Sequence, residues 1–431
     1  MPPSSPATAS RFGALSRRVL VAGFVASSFS VGLSIYLFGV FQDEIVQGVG
    51  ISVGQYSWAP TLASLTSGLL SPIVGRLLAT HGRPGLAIPR VMIAGGVSMG
   101  LGLLAISRIE SPWLLPLAFT ALVAPGTVMM GPLAASAMVT NWFASRRGRA
   151  LGLVAAGTTV GGMLAPPIAA GLIEALGWRA ALGVLGVSLF LVPVPIVAAF
   201  ARTSPEEEGE HPDGVDPAAS GPGGVGAAAI EGPATTGQLL RDRDFWLIGI
   251  VFGLVFASGS IGVAFTIPYA SQLGLPLVGG AAIGGARAGA AALGKVLLGG
   301  LSDRLGVRRV LLGVIGAQAL LVLLLIRTRD PVLFTLLGVG AGFVGGASLP
   351  LKSAMIGQAF GRASFASAMG LAQTVALPFA ALLRVAGAVH DRTGDYANVF
   401  ALTIPILLLA AVVLLFVRAG GVPETGIAGR R

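Results

Sequence analysis

The sequence has no cysteine and very little charge for its length. Because Cys is absent from its 431 residues, the chain can form no disulfide and no thiolate metal site. Only 11% of the residues are charged, whereas soluble domains carry about 25%, so a soluble globular domain is excluded. The three His are His81, His211 and His390, in loops or at the end of an apolar run. We therefore expect no metal site, no cofactor and no acid–base dyad of an enzyme.

Long apolar runs dominate what the sequence does contain. Hydrophobic residues make up 54% of the chain, and the mean hydropathy is +0.85. Runs of about 20 apolar residues, the length that crosses a bilayer as a helix, recur along the chain. They predict twelve spans, at 19–41, 56–79, 90–107, 113–140, 149–173, 179–200, 245–270, 277–301, 309–327, 331–357, 364–390 and 397–418. The first exceeds the about 7–15 apolar residues of a signal peptide, so we interpret it as a retained helix.

One polar segment divides the spans into two sets of six. Residues 201–244 contain three consecutive Glu, several Pro and a Gly/Ala-rich run, a composition typical of disorder. We predict an all-α membrane protein of twelve transmembrane helices in two pseudo-symmetric six-helix bundles, at 19–200 and 245–418. The other predicted segments are an N-terminal tail at 1–18, a disordered linker at 201–244 and a C-terminal tail at 419–431.

The basic residues in the loops predict the sidedness of the chain. Nineteen of the 28 Lys and Arg fall in the tails, the linker and the loops on one side, against five in the loops on the other. Loops rich in Lys and Arg stay in the cytoplasm. We therefore expect a multi-pass protein of the plasma (inner) membrane with the linker and both termini in the cytoplasm. The net charge of +10 reflects this topology, and no nucleic-acid partner is expected.

A charged turn between two spans carries the most specific motif. Residues 299–309 read Gly-Gly-Leu-Ser-Asp-Arg-Leu-Gly-Val-Arg-Arg, and a weaker copy stands at 75–84 in the first half. The turn closely resembles the loop signature G-x-L-S-D-R-x-G-x-R-R of the major facilitator superfamily. That resemblance implies the major facilitator fold and a secondary transporter that works by alternating access between two bundles. We expect a monomer whose partners are the lipid bilayer and a small-molecule substrate.

Four further segments resemble the monocarboxylate transporter family and the related oxalate–formate exchangers. They are residues 32–41 in the first span, the run 141–152 that begins Asn-Trp-Phe, residues 177–179 and residues 391–396. The resemblance covers both halves and excludes the linker and tails. It implies transport of small organic anions, either monocarboxylate or dicarboxylate, with a proton or a counter-anion as coupling partner.

Four cations inside the predicted spans are the candidate substrate-binding groups. Arg287, Lys295, Lys352 and Arg384 fall within spans, while the 18 acidic residues fall in loops, the linker or span ends. A charge within a span costs at least about 2.5–3.5 kcal/mol, so it is rarely kept without a partner or a function. The expected partner is an anionic substrate. We expect Lys295 and Arg384 near the midplane, Arg287 nearer the outer mouth, and Lys352 snorkelling toward the cytoplasm.

The family resemblance assigns roles to particular residues. Counted back from the signature turn, Lys295 stands in the place of a substrate-binding Arg of the eighth helix, and Arg384 corresponds to a second cation of the exchangers. Ala291 stands where proton-coupled members have an Asp, so we hypothesise that Lys295 itself carries the proton. The polar side chains expected to line the path with these cations are Tyr36, which replaces a first-helix Lys of some members, Ser34 and Gln373.

The signature turn itself is predicted to gate the transporter. Asp303 and Arg304 follow Gly299 at the cytoplasmic end of the eighth span, and Arg308 opens the ninth. A carboxylate and a guanidinium that pair with a neighbouring helix end would hold one conformation closed. The alternative is that these charges only set topology. In the first-half copy Ala79 replaces the acid, so any lock belongs to the second half.

The main alternative function is a major facilitator exporter of drugs or other small metabolites. Such pumps commonly use buried carboxylates, and the predicted spans hold none. A sensor built on a transporter fold would need a folded signalling domain, and the linker and tails are too short for one. A membrane enzyme would need acid–base or metal groups at membrane depth. Transport of small organic anions is therefore our main interpretation.

Overall fold

A computed structural model describes residues 14–79, 87–143, 147–209 and 236–418 of the chain. Apart from short connections, these ranges are helical, and they contain no strand. Eleven of their helices are long and apolar enough to cross a membrane. The other predicted span, Trp58–Ala79, has 22 residues and is less apolar because Ser, Thr, Gly and Pro recur in it.

The helices form two halves of six. The N-terminal half holds α1 (Leu15–Val49), α2 (Trp58–Ala79), α3 (Ile88–Ile106), α4 (Leu114–Trp142), α5 (Arg147–Leu176) and α6 (Trp178–Phe200). The C-terminal half holds α7 (Arg243–Gln272), α8 (Leu277–Leu305), α9 (Val307–Leu325), α10 (Pro331–Phe360), α11 (Ala368–Thr393) and α12 (Tyr396–Leu415). The predicted twelve-helix fold is confirmed. We call the side where α1 and α7 begin the linker side, and the other the far side.

Two helices of the N-terminal half contain a π-turn. In α1 the π-turn covers Gly32–Tyr36, and in α4 it covers Phe119–Val123. A π-turn widens the helix by one residue and is frequent at functional sites. In α1 it ends at Tyr36, one of the residues expected to line the path.

Glycines allow neighbouring helices to touch through their backbones. A methyl group at Gly157 of α5 would lie 2.5 Å from the carbonyl oxygen of Phe24 in α1, and one at Gly161 would overlap the backbone of Ser28. Helices α8 and α10 approach each other in the same way at Gly294, Gly342 and Gly346. Close approach of this kind is how helices pack where no hydrophobic effect drives them together.

The signature turn joins α8 to α9 through a left-handed glycine. Gly306 has φ +86°, which residues with a side chain rarely adopt, and its N–H donates to the carbonyl oxygen of Ser302 at 3.0 Å. The Ser302 hydroxyl in turn donates to the carbonyl oxygen of Gly299 at 2.6 Å. These contacts end α8 and start α9 within one residue.

Several boundaries differ from the sequence prediction. Helix α1 continues to Val49 rather than ending at residue 41, because Gln42 is fully buried and its amide is hydrogen-bonded, so hydropathy alone misses its last two turns. Parts of the predicted disordered linker are helical, at Glu206–Glu208 and Thr236–Arg241, and α7 already begins at Arg243. The rest of that linker, and most of both tails, lie outside the described residues.

Replacing Gly161 by valine is expected to destabilise the fold, because the new side chain would push α1 away from α5. Overpacking of this kind costs about 1–3 kcal/mol. The matched control is Gly171→Val in the same helix, where nothing lies within 4 Å of an added methyl group. Thermal unfolding of the two detergent-solubilised variants should show a lower Tm for Gly161→Val only. Equal Tm values would contradict the packing argument.

Candidate functional site

Arg287 is a buried cation at the seam between the two halves. Its side chain is 7% exposed, its stem packs on Gly342 of α10, and its guanidinium lies over Gly262 of α7, where a methyl group would be 3.0 Å from Cζ. From the other half, Tyr36 of α1 lies within electrostatic range of it. Among the described residues, none forms a hydrogen bond or an ion pair with the guanidinium. The charge therefore has no carboxylate partner in the described ranges.

The surroundings of Tyr36 confirm that this point lies between the halves. Its ring packs on Gly162 of α5, where a methyl group would lie 2.5 Å from Cζ. About one turn further on, α1 touches α7, since a methyl group at Gly39 would lie 2.6 Å from the carbonyl oxygen of Ala264. The structure thus brings together two of the predicted site residues, Tyr36 and Arg287, one from each half. Arg287 lies ten residues into α8, or about 15 Å along the helix from its far-side end.

Lys295 lies about 12 Å along α8 from Arg287, toward the linker side. Leu293, two positions away and 61% exposed, is one and two turns from Gly289 and Gly285, which pack against Met163 of α5. Side chains two positions apart on a helix point to opposite faces, so Lys295 points away from the face of α8 that meets α5. It is half-buried, and no described residue hydrogen-bonds to it.

Lys352 was expected to snorkel toward the cytoplasm, but it is buried inside the protein. Its side chain is 7% exposed, and its ammonium donates to Oε1 of Gln373 at 3.1 Å. The two residues are 21 positions apart, so the helical stretch Ser348–Ala376 contains the reversal between α10 and α11. The amide supplies a hydrogen-bond acceptor within the protein, which removes the need to reach water.

Arg384 lies on the far side rather than at the midplane. Its Cζ is 5.5 Å from the ring centroid of Trp58, the first residue of α2. A methyl group at Gly54 would lie 2.7 Å from Nη1 of Arg384, and Asp391 lies against the same glycine. The short helix Val53–Tyr56 and the start of α2 pack beside α11 here. Counting residues along α11 alone does not reveal this contact. Arg384 therefore lies apart from Arg287 and Lys295.

The remaining predicted path residue, Ser34, is turned toward its own helix. Its hydroxyl donates to the carbonyl oxygen of Ser30 at 2.6 Å, across the π-turn of α1. The hydroxyl oxygen can still accept a hydrogen bond, but it has no donor left for an anion.

Hydrogen bonds between described residues join the two halves only on the far side. Nε2 of Gln42 donates to the Tyr396 hydroxyl at 2.6 Å, and the Tyr396 hydroxyl donates to Asp43 at 3.5 Å. The Asp391 carboxylate accepts from the Ser52 hydroxyl at 2.7 Å and from the Gly54 N–H at 2.9 Å. We call these contacts the far-side closure.

Sequence reasoning missed the far-side closure. Residues 391–396 stood out only through a family resemblance, and no role was predicted for Gln42 or Ser52. The signal that could have found Asp391 and Tyr396 is their place at the ends of α11 and α12, beside a second polar cluster that ends α1. Their pairing joins positions more than 330 residues apart, which no local pattern reveals.

The predicted gating residues make no described contact with the N-terminal half. Arg308 donates through Nη2 to the carbonyl oxygen of Leu415 at 2.7 Å, within the C-terminal half. Arg304 is exposed, and Gly299 packs against Pro350 of α10. The side chain of Asp303 lies outside the described residues. On the linker side, the described parts of the two halves are not hydrogen-bonded to each other.

Removing the Asp391 carboxylate is expected to loosen the far-side closure. Hydrogen bonds to a charged group contribute about 1.5–3 kcal/mol. In Asp391→Ala, backbone amides at 52–57 should exchange with deuterium several-fold faster, as measured by mass spectrometry. The matched control is Asp330→Ala, which removes a cap on Leu333 of α10 and leaves the closure intact. Unchanged exchange at 52–57 in Asp391→Ala would contradict the closure.

Relatives named as monocarboxylate transporters match most of this chain. Monocarboxylate transporter 13 of Bos taurus is 25% identical over 401 residues, 92% of this chain and 88% of its own. Monocarboxylate transporter 12-B of Danio rerio is 25% identical over 378 residues, 84% of this chain and 78% of its own. An MFS-type transporter of Gibberella moniliformis is 30% identical over 193 residues, but this chain spans only 45% of that fungal protein's length.

The fold also matches solved transporters. A bacterial homolog to the human lysosomal transporter Spinster, in an inward-facing and unoccupied conformation, superposes with a TM-score of 0.73 over 94% of this chain and 97% of its own, at 16% identity. At that identity the likeness shows the fold alone. The family profile of the Major Facilitator Superfamily matches residues 24–291 and 254–430, which covers both halves. The chain is therefore a multi-pass membrane transporter that belongs to the major facilitator superfamily.

Proposed function

We propose that this transporter carries small organic anions, either monocarboxylates or dicarboxylates, by alternating access. The observation that carries the proposal is Arg287, a cation 7% exposed at the seam of the halves with no acidic partner in the described ranges. A guanidinium forms two parallel hydrogen bonds with a carboxylate, which makes it well suited to this cargo. Removing a charge from water costs several kcal/mol, and an anionic substrate offsets that cost while it is bound.

The other predicted site residues contact the anion at different places along the proposed path. Tyr36 donates its hydroxyl to the substrate from the N-terminal half, so that binding draws on both halves. Lys295, half-buried on α8, meets the anion between Arg287 and the linker side. Arg384 meets it on the far side, beside Trp58, when the far-side closure is open. Gln373 adds an amide near the linker side, and Ser34, two residues before Tyr36 on α1, is available as an acceptor only.

Sidedness completes the proposed cycle. The excess of Lys and Arg places the linker side, with both termini, in the cytoplasm of a plasma (inner) membrane protein. The far side is then external, and the far-side closure seals the path from outside. We assign the lock of the opposite state to Asp303, Arg304, Arg308 and Gly299 at the signature turn. The coupling partner is a proton or a counter-anion, and the protein acts as a monomer.

The relatives support this substrate class over the alternative. Two relatives named as monocarboxylate transporters are matched along nearly the whole chain. The alternative, an exporter of other small metabolites, is favoured by one observation. A Fujikurins efflux protein of Gibberella fujikuroi is 29% identical over 134 residues, although these cover 30% of this chain and 27% of its own.

Neutralising Arg287 is expected to abolish most anion uptake. In proteoliposomes, Arg287→Met should reduce uptake of radiolabelled pyruvate or oxalate by about 10–100-fold, the loss of about 1.5–3 kcal/mol from a charged hydrogen bond. Arg287→Lys should keep part of the uptake with a raised KM, because it retains the charge without the planar fork. The control is Arg108→Gln, an exposed cation at the far end of α3.

Two results would redirect the proposal. If wild-type protein takes up neither anion but extrudes apolar metabolites, the exporter alternative replaces it. If uptake is independent of a pH gradient, a counter-anion rather than a proton is the coupling partner, and Lys295 carries no proton.

The glycine beneath the Arg287 guanidinium provides a finer test. A methyl group at Gly262 would overlap Nη2 of Arg287, whereas nothing lies within 4 Å of a methyl group at Gly259, three positions earlier on α7. Gly262→Ala should therefore displace the guanidinium and raise the KM for anion uptake several-fold. Gly259→Ala, with the same change in helix propensity, should leave the KM unchanged. If both variants raise the KM equally, the increase does not come from displacing the Arg287 guanidinium.

A further inference from the structure

Lys352 is a buried cation that the proposed path does not yet use. Its ammonium has three N–H donors and one described acceptor, Oε1 of Gln373 at 3.1 Å. Acidic side chains of the described ranges make no ion pair with it. A lysine that merely snorkels keeps its ammonium in water, yet this side chain is only 7% exposed. Its position therefore needs another explanation.

The register of α11 turns Gln373 toward the gap between the halves. Leu377, one turn further along, packs directly over Gly68 of α2 in the other half. Arg384, two turns beyond Leu377, lies beside Trp58 of α2. Positions 373 and 377 are one turn apart and share a face of α11, and Arg384, beyond the 3₁₀ turn Leu377–Ala380, also reaches α2. Gln373 is exposed whereas Leu377 is half-buried against Gly68, so α2 and α11 part on the linker side of the Leu377 contact.

Lys352 also fixes which end of the Gln373 amide is free. An ammonium has only donors, so the amide must present its oxygen to Lys352. Its NH₂ group then points away from the lysine, on the exposed side of Gln373. Two N–H donors, polarised by a charge directly behind them, are the arrangement that a carboxylate accepts from.

We propose that Gln373 and Lys352 form an anion-binding station on the linker side of the path, where Gln373 contacts the carboxylate and Lys352 positions and polarises its amide. The station rests on the proposed function, since it would receive an anion that moves between Arg287 and the linker side. It would bind carboxylates of either class through one carboxylate group. It differs from the Arg287 site because both of its residues belong to the C-terminal half.

The absence of cysteine makes a direct test possible. Gly370 lies one turn from Gln373 on the linker side, is exposed, and has nothing within 4 Å of an added side-chain carbon. Gly370→Cys would be the single thiol of the full-length protein. Its rates of reaction with an anionic sulfonatoethyl and a cationic trimethylammonioethyl methanethiosulfonate report the local potential. The matched reference thiol is Gly152→Cys on α5, also exposed and open.

The expected result is a preference for the anionic reagent that depends on Lys352. In Gly370→Cys, replacing Lys352 by methionine should lower the anionic-to-cationic rate ratio at least about fivefold, and Lys352→Arg should restore it. The ratio at Gly152→Cys should not respond. Millimolar oxalate or pyruvate should slow labelling of Gly370→Cys several-fold, and this protection should vanish in Lys352→Met. If Lys352→Met does not fold, Gln373→Leu, which keeps the lysine, has to remove the protection.

Two outcomes would overturn the station. One is a rate ratio at Gly370→Cys that does not change when Lys352 is neutralised. The other is a lack of protection by both anions. Neither measurement requires transport, so the station and the proposed function can fail separately. Lys352-dependent protection in a protein that takes up neither anion would support the station and overturn the proposed function.

Discussion

Arg287 places a positive charge inside the bundle with no counter-charge among the described residues. Arg287 packs against α7 and α10, and the phenol of Tyr36 in the other half lies within electrostatic range of it. Surrounding dipoles and residual water offset only part of the cost of burying an ion. The remaining cost falls when an anion binds. Because Tyr36 and Arg287 lie on different halves, an anion between them also links the two halves, which couples binding to their relative motion.

The distribution of charge between the halves is asymmetric although the fold is duplicated. All four intramembrane cations, Arg287, Lys295, Lys352 and Arg384, belong to the C-terminal half. The N-terminal half offers these cations the indole of Trp58, the phenol of Tyr36 and the backbone at Gly54. In the proposed cycle, the C-terminal half holds the anion while the N-terminal half moves over it. Arg384 lies on the far side, Arg287 precedes Lys295 along α8, and Lys352 with Gln373 lies toward the linker side.

The fold could be predicted from the sequence, but the arrangement of the site could be predicted only in part. Twelve apolar runs and one charged turn are sufficient for the architecture, because span length and loop charge are local properties. Hydropathy did not predict the end of α1, because polar residues there, such as Gln42, are buried against the other half. The predicted helix therefore ended too early. Counting along one helix placed Arg384 near the midplane, yet its level is set by Trp58 and Gly54, which approach from α2 and the short helix before it. Lys352 was expected to snorkel because its partner, Gln373, lies 21 positions away.

The far-side closure has the chemistry that a reversible contact requires. It is built from a carboxylate, a phenol, an amide and a hydroxyl, all of which water can satisfy when the halves part. Each such hydrogen bond contributes only about 0.5–1.5 kcal/mol net, or about 1.5–3 kcal/mol where the carboxylate accepts. The whole closure is therefore worth a few kcal/mol, comparable to the differential affinity by which a ligand shifts a two-state equilibrium. A large apolar contact at the same place would instead lose its stabilisation in full on opening. The far-side closure is consequently polar, whereas packing through glycine and apolar side chains occurs within each half and, between the halves, at Gly39 and Gly68.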